Sequence, residues 1–216
     1  MTFKEIIEHL INEILPCIES NSANKKVKTI IETIENNLQP DIPNTATILS
    51  LQEEYERALK IKDKLEDKAK STIFAITIAT TLIMGSSNII NELSKNTLNN
   101  IISIFASAIF ILTVVYMIVA GKLSLELLME KNIFYYVSAQ QKKKQKDIKI
   151  EYYNSNQCNN SYNIIRNNLI NSAFKCIRNA MVCLFIVFIT LILSKLFTQT
   201  TSTASSFLNF IINVHY

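Results

Sequence analysis

The residues of this chain best equipped for chemistry are four cysteines and two histidines, and their spacing gives them little to do together. Cys17, Cys158, Cys176 and Cys183 form no C-x-x-C pair and have no histidine at ligand spacing, so neither zinc nor dithiol chemistry is expected. His9 and His215 lie far apart in the sequence, without a carboxylate or thiol spaced to make a general base or a metal site. The glycines are Gly85 and Gly121 alone, which leaves no phosphate-cradling loop, and no G-x-x-x-x-G-K, G-x-S-x-G or H-E-x-x-H motif occurs. No catalytic residue, cofactor or metal is expected, and the chain is read as a non-enzyme.

Polar chemistry of another kind remains. Thr77, Thr81, Gly85 and Asn88 recur at spacings of four, four and three, which places them on one helix face. Cys183, Thr190 and Ser194 share a second such stripe with Cys176, Ala180 and Val187. Within lipid, small and hydroxylated faces let helices approach and hydrogen-bond, each bond contributing about 0.6 to 2 kcal/mol. Packing on a neighbouring helix is one use of such a face, and lining a hydrated pore is the other. Lys142, Lys143, Lys144 and Lys146 form a cluster suited to anionic lipid or a partner protein. No aromatic interleaving or nucleic-acid-binding motif accompanies them, so direct nucleic-acid contact is not expected.

The elements that must carry these faces are helices. Only two Gly and three Pro occur in 216 residues, too few for the turns of a sheet protein. Three charge-free apolar runs stand out, and the expected fold class is an all-α integral membrane protein with three transmembrane helices, long cytosolic helical extensions and an N-terminal helical hairpin. The hairpin and its linker occupy residues 1–47. Thr2 to Leu15 sets Phe3, Ile6, Ile7, Leu10, Ile11 and Ile14 on one face, with Thr2 and Glu5 as a capping box and Pro16 beyond. The polar SNSAN connection precedes a second helix from about Asn24 to Leu38, with Val27, Ile30, Ile31, Ile34 and Leu38 apolar. The prolines of QPDIPN, residues 39–44, break the chain.

The membrane domain is expected over 48–197. A charged helix from Thr47, with the i,i+4 pairs Glu53/Arg57, Glu56/Lys60 and Glu66/Lys70 and an apolar stripe of Leu51, Tyr55, Ala58, Leu65 and Ala69, runs into a first span at 71–91. The second span, 97–121, continues past Gly121 toward Ile133 and Phe134. A cytosolic basic segment, 122–177, includes a helix from about Asn160 with Tyr162, Ile165, Leu169, Ala173 and Cys176 at helical spacing. The third span, 178–197, is short, because sixteen charge-free residues separate Arg178 from Lys195 and both cations must snorkel. Residues 198–216 form an extracytoplasmic tail.

Orientation follows from the cations. Ten Lys and Arg precede the first span and ten lie between Lys122 and Arg178, whereas the intervening loop has only Lys95 and the tail side only Lys195. The N-terminus is expected inside and the C-terminus periplasmic or extracellular. MTFKEIIEHLINEILPC lacks the basic start and uninterrupted apolar core of a signal peptide, so Met1 onward is expected in the mature protein. Abundant Asn, Ile and Lys fit an AT-rich bacterial genome, hence a bacterial inner membrane. No acid or cation sits centrally in a span, which disfavours ion-coupled transport.

The segment EEYERALKIKDKLEDKAKSTIFAITIATTLIMG, with Asp67, Lys68 and Ala69 just before a modest span, resembles small bacterial membrane effectors of anti-phage systems, as does the second helix-into-span unit SYNIIRNNLINSAFKCIRNAMVCLF. SLATT-type domains, retron effectors and transmembrane accessory proteins of CRISPR systems are similar in architecture, over roughly Leu51 to Phe197. The resemblance implies a homo-oligomeric membrane effector of antiviral defence that permeabilises the inner membrane on a cytosolic signal, with membrane lipid and a cytosolic defence partner as its contacts. The alternatives are a membrane-anchored helical scaffold recruiting a cytosolic partner, or a small channel or transporter subunit.

Overall fold

The computed structural model describes residues 3–36, 40, 42–43, 45–85, 100–129, 134–137 and 145–214. Among these the secondary structure is entirely helical: α1 (Phe3–Ile14), α2 (Pro16–Glu35), α3 (Ile48–Gly85), α4 (Asn100–Met129) and α5 (Gln145–Val214). The chain divides into two compact units, the first made of 1–77 with 118–177 and the second of 78–117 with 178–216.

The break between α1 and α2 is one residue long. Leu15 leaves the helical region, at φ −121° and ψ 64°, because Pro16 disfavours that region in the residue before it, and the ring then suits the first position of α2. The SNSAN segment expected as a connection is instead helical, and α2 starts at Pro16 rather than near Asn24. Ser and Asn are weak helix formers, but here the buried Ser20 and Asn24 lie with Pro16 and Ile31 on the face of α2 turned inward, so packing overrides local preference. Of the apolar set expected on this helix, only Ile31 is buried; Ile30 is exposed, Val27 and Ile34 are half-buried, and Leu38 lies outside the described residues.

Helix α3 starts where expected, and Thr47 caps it. Its hydroxyl accepts from the Ser50 amide at 3.1 Å while its own amide donates to Ser50 Oγ at 3.0 Å, satisfying two donors reciprocally. The inward stripe of α3 is Leu51, Ala58, Leu65, Ala69 and Thr72, with Tyr55 half-buried beside it. Ion pairing takes other partners than expected: among the described residues Lys62 pairs with Glu66 at i,i+4 and 3.0 Å and Lys70 with Asp67 at i,i+3 and 3.2 Å, in place of Glu53/Arg57, Glu56/Lys60 and Glu66/Lys70. Lys62 takes Glu66 because its ammonium is held inward over the Phe134 ring, 5.9 Å from the centroid.

Helix α4 runs through Gly121 without a break, as expected, but stops at Met129, so Phe134 lies beyond the helix; Ile133 is outside the described residues. Its buried positions Ala106, Thr113, Ala120 and Leu127 repeat at sevens, a heptad seam. Helix α5 begins at Gln145, well before Asn160, and continues through the expected tail to Val214, so residue 197 marks no helix end. No Gly or Pro occurs after Gly121, and nothing local stops a helix that the packing of its first half has started.

Among the described residues, two helices are long and apolar enough to cross a membrane, at Ile104–Met129 and within Gln145–Thr190. Only 28% and 22% of their apolar windows is buried, unlike the core helix of a soluble protein. Ile104, Phe105, Ile111, Met181, Phe185 and Ile192 all present large apolar side chains outward. The region expected as a first span is helical as far as Gly85; residues 86–99 lie outside the described set.

Candidate functional site: an asparagine clasp

The first unit has a buried apolar core, Leu51, Leu65, Leu127, Ile165 and Ile170 among it, and a row of amides beside that core fixes how its helices align. Along α5, Asn156, Asn159, Asn160 and Asn163 stand at spacings of three, one and three, on one side of the helix. Asn156 Nδ2 donates to the Leu51 carbonyl of α3 at 2.8 Å, and Asn163 Nδ2 donates to the Ala58 carbonyl, also at 2.8 Å. Seven residues separate both the donors and the acceptors, so α3 and α5 run parallel here in a fixed register. Asn160 Nδ2 adds a bond to Glu54 Oε1 at 2.9 Å. Each bond made in a buried site contributes about 1 kcal/mol net, and the larger effect is the cost of losing a partner.

Arg166, one turn on, is 2% exposed and donates from Nη1 to Asn163 Oδ1 at 3.0 Å. A guanidinium stays charged at any ordinary pH, so the unit carries a buried cation beside its main inter-helix contact.

Asn159 performs a different task. Its Oδ1 accepts from the Tyr135 amide at 2.8 Å and its Nδ2 donates to the Tyr135 carbonyl at 3.1 Å, so one side chain grips a peptide as a neighbouring strand would. The gripped segment, Phe134 to Val137, is rich in rings. Phe134 meets Tyr55 edge-on at 5.5 Å and Tyr136 at 5.1 Å, Tyr55 meets Tyr152 at 5.7 Å, and Tyr135 stacks on Tyr162 at 6.2 Å. The Tyr135 hydroxyl donates to Glu35 at the end of α2. Burial and the Glu35 carboxylate push the Tyr135 hydroxyl well above the usual phenol range, keeping it a donor.

The start of α2 is fastened further along α5. Asn168 Nδ2 donates to Asn24 Oδ1 at 3.0 Å and Ser172 Oγ donates to the Pro16 carbonyl at 3.2 Å. Lys175 reaches Glu13 at 3.1 Å and Glu19 at 3.6 Å across the break. Helix α5 thus holds α3, the 134–137 segment and the N-terminal helices at successive levels. Burial pushes the Cys158 thiol up to about 11, and among the described residues no three His, Cys, Asp or Glu gather as a metal site.

The residues picked out by sequence lie elsewhere. Thr77 and Thr81 are exposed on α3, the Thr77 hydroxyl donating to the Ile73 carbonyl at 2.9 Å. Gly85 is the last residue of α3, and Asn88 lies outside the described residues. Cys183 and Thr190 are half-buried on α5, Thr190 donating to the Ile186 carbonyl at 2.8 Å, while Ser194 is helical with its side chain outside the described set. Of the lysine cluster, Lys146 is exposed in the first turn of α5, and Lys142, Lys143 and Lys144 lie outside the described residues. The asparagines of the clasp recur at three and four spacing, but Asn is so abundant along residues 154–171 that this periodicity does not stand out from composition. Comparison with family models, curated proteins and solved structures finds no match for this chain.

Proposed function

We propose that this chain is a three-span, N-in and C-out effector in a bacterial inner membrane, which oligomerises to permeabilise that membrane when its cytosolic helices receive a signal in anti-phage defence. The observation that carries the reading is the continuity of α3 and α5: each begins in the amide-clasped unit and continues unbroken into apolar sequence. The parallel register of the two supports spans one and three crossing in the same direction, with α4 returning between them. A signal that loosens the clasp then acts on both spans through helical backbone. The test is membrane potential, read with a voltage-sensitive dye in cells expressing the chain. Depolarisation that precedes growth arrest is expected, and growth arrest at normal potential overturns the reading.

A scaffold role has one observation in its favour. Ile11, Ile14, Leu15 and Ile18 are exposed at helical spacing across the α1–α2 break, an apolar strip available to a cytosolic partner. Under that role Ile14→Glu abolishes recruitment of the partner, while the potential never changes.

A further inference from the structure

An open groove of about 620 Å³ lies between α3 and α5 in the first unit. On α3 its wall includes Lys64, Lys68, Ser71 and Ala75, at spacings of four, three and four on one helix face, with Asp67 and the buried Thr72 between them. Phe174 and Ile177 of α5 complete it. Along α3 toward its apolar end, the groove offers two ammonium groups, then the Ser71 hydroxyl, then the Ala75 methyl, while the register that pairs Leu51 with Asn156 and Ala58 with Asn163 sets Phe174 level with Ala69 and Ile177 level with Thr72. Lys64 and Lys68 are exposed and make no ion pair among the described residues. Asp67 also borders the groove, but its carboxylate is 3.2 Å from Lys70 Nζ, which offsets its charge. Phe174 remains exposed although it faces this cavity.

That order of chemistry matches one class of molecule. An acidic peptide would suit the lysines and not the apolar end, and an aliphatic ligand the reverse; a phospholipid has phosphate, polar glycerol ester and acyl chain in this sequence. From Lys64 to Ala75 the helix rises about 16 Å, the reach from a phosphate into the upper acyl chain. We propose that the groove seats one anionic glycerophospholipid, with phosphate at Lys64 and Lys68, the ester near Ser71, where Phe174 and Ile177 flank the start of an acyl chain that runs on along Ala75. The inference rests on the membrane reading above and adds a specific lipid site to it.

The test uses full-length protein extracted from membranes and delipidated in uncharged detergent, with binding of phosphatidylglycerol and phosphatidylcholine measured by native mass spectrometry. Phosphatidylglycerol is expected to bind in preference, with inorganic phosphate at equal concentration failing to displace it. Lys64→Gln with Lys68→Gln should weaken it about tenfold. Lys60→Gln with Lys146→Gln, exposed lysines outside the groove, should leave it unchanged, and Ala75→Phe, which fills the apolar end, should weaken both lipids. Equal binding of the two lipids, displacement by phosphate alone, or equal losses in the two lysine pairs would overturn the lipid site while leaving the membrane reading intact. Recovery of the chain in the soluble fraction after carbonate washing overturns both.

Discussion

Asn163 makes two bonds with one side chain, to the Ala58 carbonyl and from Arg166 Nη1, and both are buried. Asn163→Ala should therefore cost about 2 kcal/mol, since a helix carbonyl loses its second donor and a buried guanidinium loses an acceptor. A lowered thermal midpoint with unchanged helix content would register it. Asn163→Asp should be no milder, because the donor to Ala58 is lost and a second charge is buried. Cys158 gives the pH-dependent counterpart. Its thiol, raised from 9.0 to about 11 by burial, keeps its proton longer in the folded chain than in the unfolded one. The contribution is present below pH 9 and is lost as pH rises through 11, so the protein should become less stable across that alkaline window. At pH 8 alkylation of Cys158 should be slow until the chain is denatured, and fast labelling of the folded protein would contradict its placement.

At the scale of elements, α4 carries Gly121 where no positive φ requires it. A Cβ added there meets only Ile76 Cδ1, at 4.0 Å, an ordinary contact. Gly121→Ala should stabilise by about 1 kcal/mol, read as a rise in thermal midpoint, by removing the backbone freedom that glycine loses on folding. Thr47→Ala should do the opposite by a similar amount, through loss of the α3 cap. Helix existence was legible from apolar periodicity and from the scarcity of Gly and Pro, and so was the stripe of α3. Helix limits were less so. Nothing local announces that SNSAN is helical or that α5 starts before Asn160, because both depend on contacts with residues more than a hundred positions away, such as Asn24 with Asn168 and Leu51 with Asn156. The Asn-rich stretch read as neutral composition; only the partner helix reveals which amides are aimed inward.

For the whole molecule, the proposed topology places residues 95 and 216 outside and residue 144 inside. Reporter fusions at these sites should be active in the periplasm at the first two and in the cytosol at the third. A cytosolic signal at 216 would mean an even number of crossings. The unbroken passage of α5 from 145 to 214 was not legible in the sequence, where a tail is expected from residue 198. Clasp and apolar sequence share the same helices, so under the proposed function a substitution that loosens the clasp, such as Asn163→Ala, should also change the threshold for depolarisation.

The asparagine contacts to α3 end on peptide carbonyls, and carbonyls are present whatever side chain position 51 or 58 bears. No single codon change on that helix can delete the acceptor, although it can spoil the packing around it. Half of each contact is therefore immune to mutation and the other half is exposed to it. If the chain permeabilises the membrane as proposed, variants selected for loss of growth arrest should accumulate at Asn156 and Asn163 far more than at the polar surface of the helix they grip.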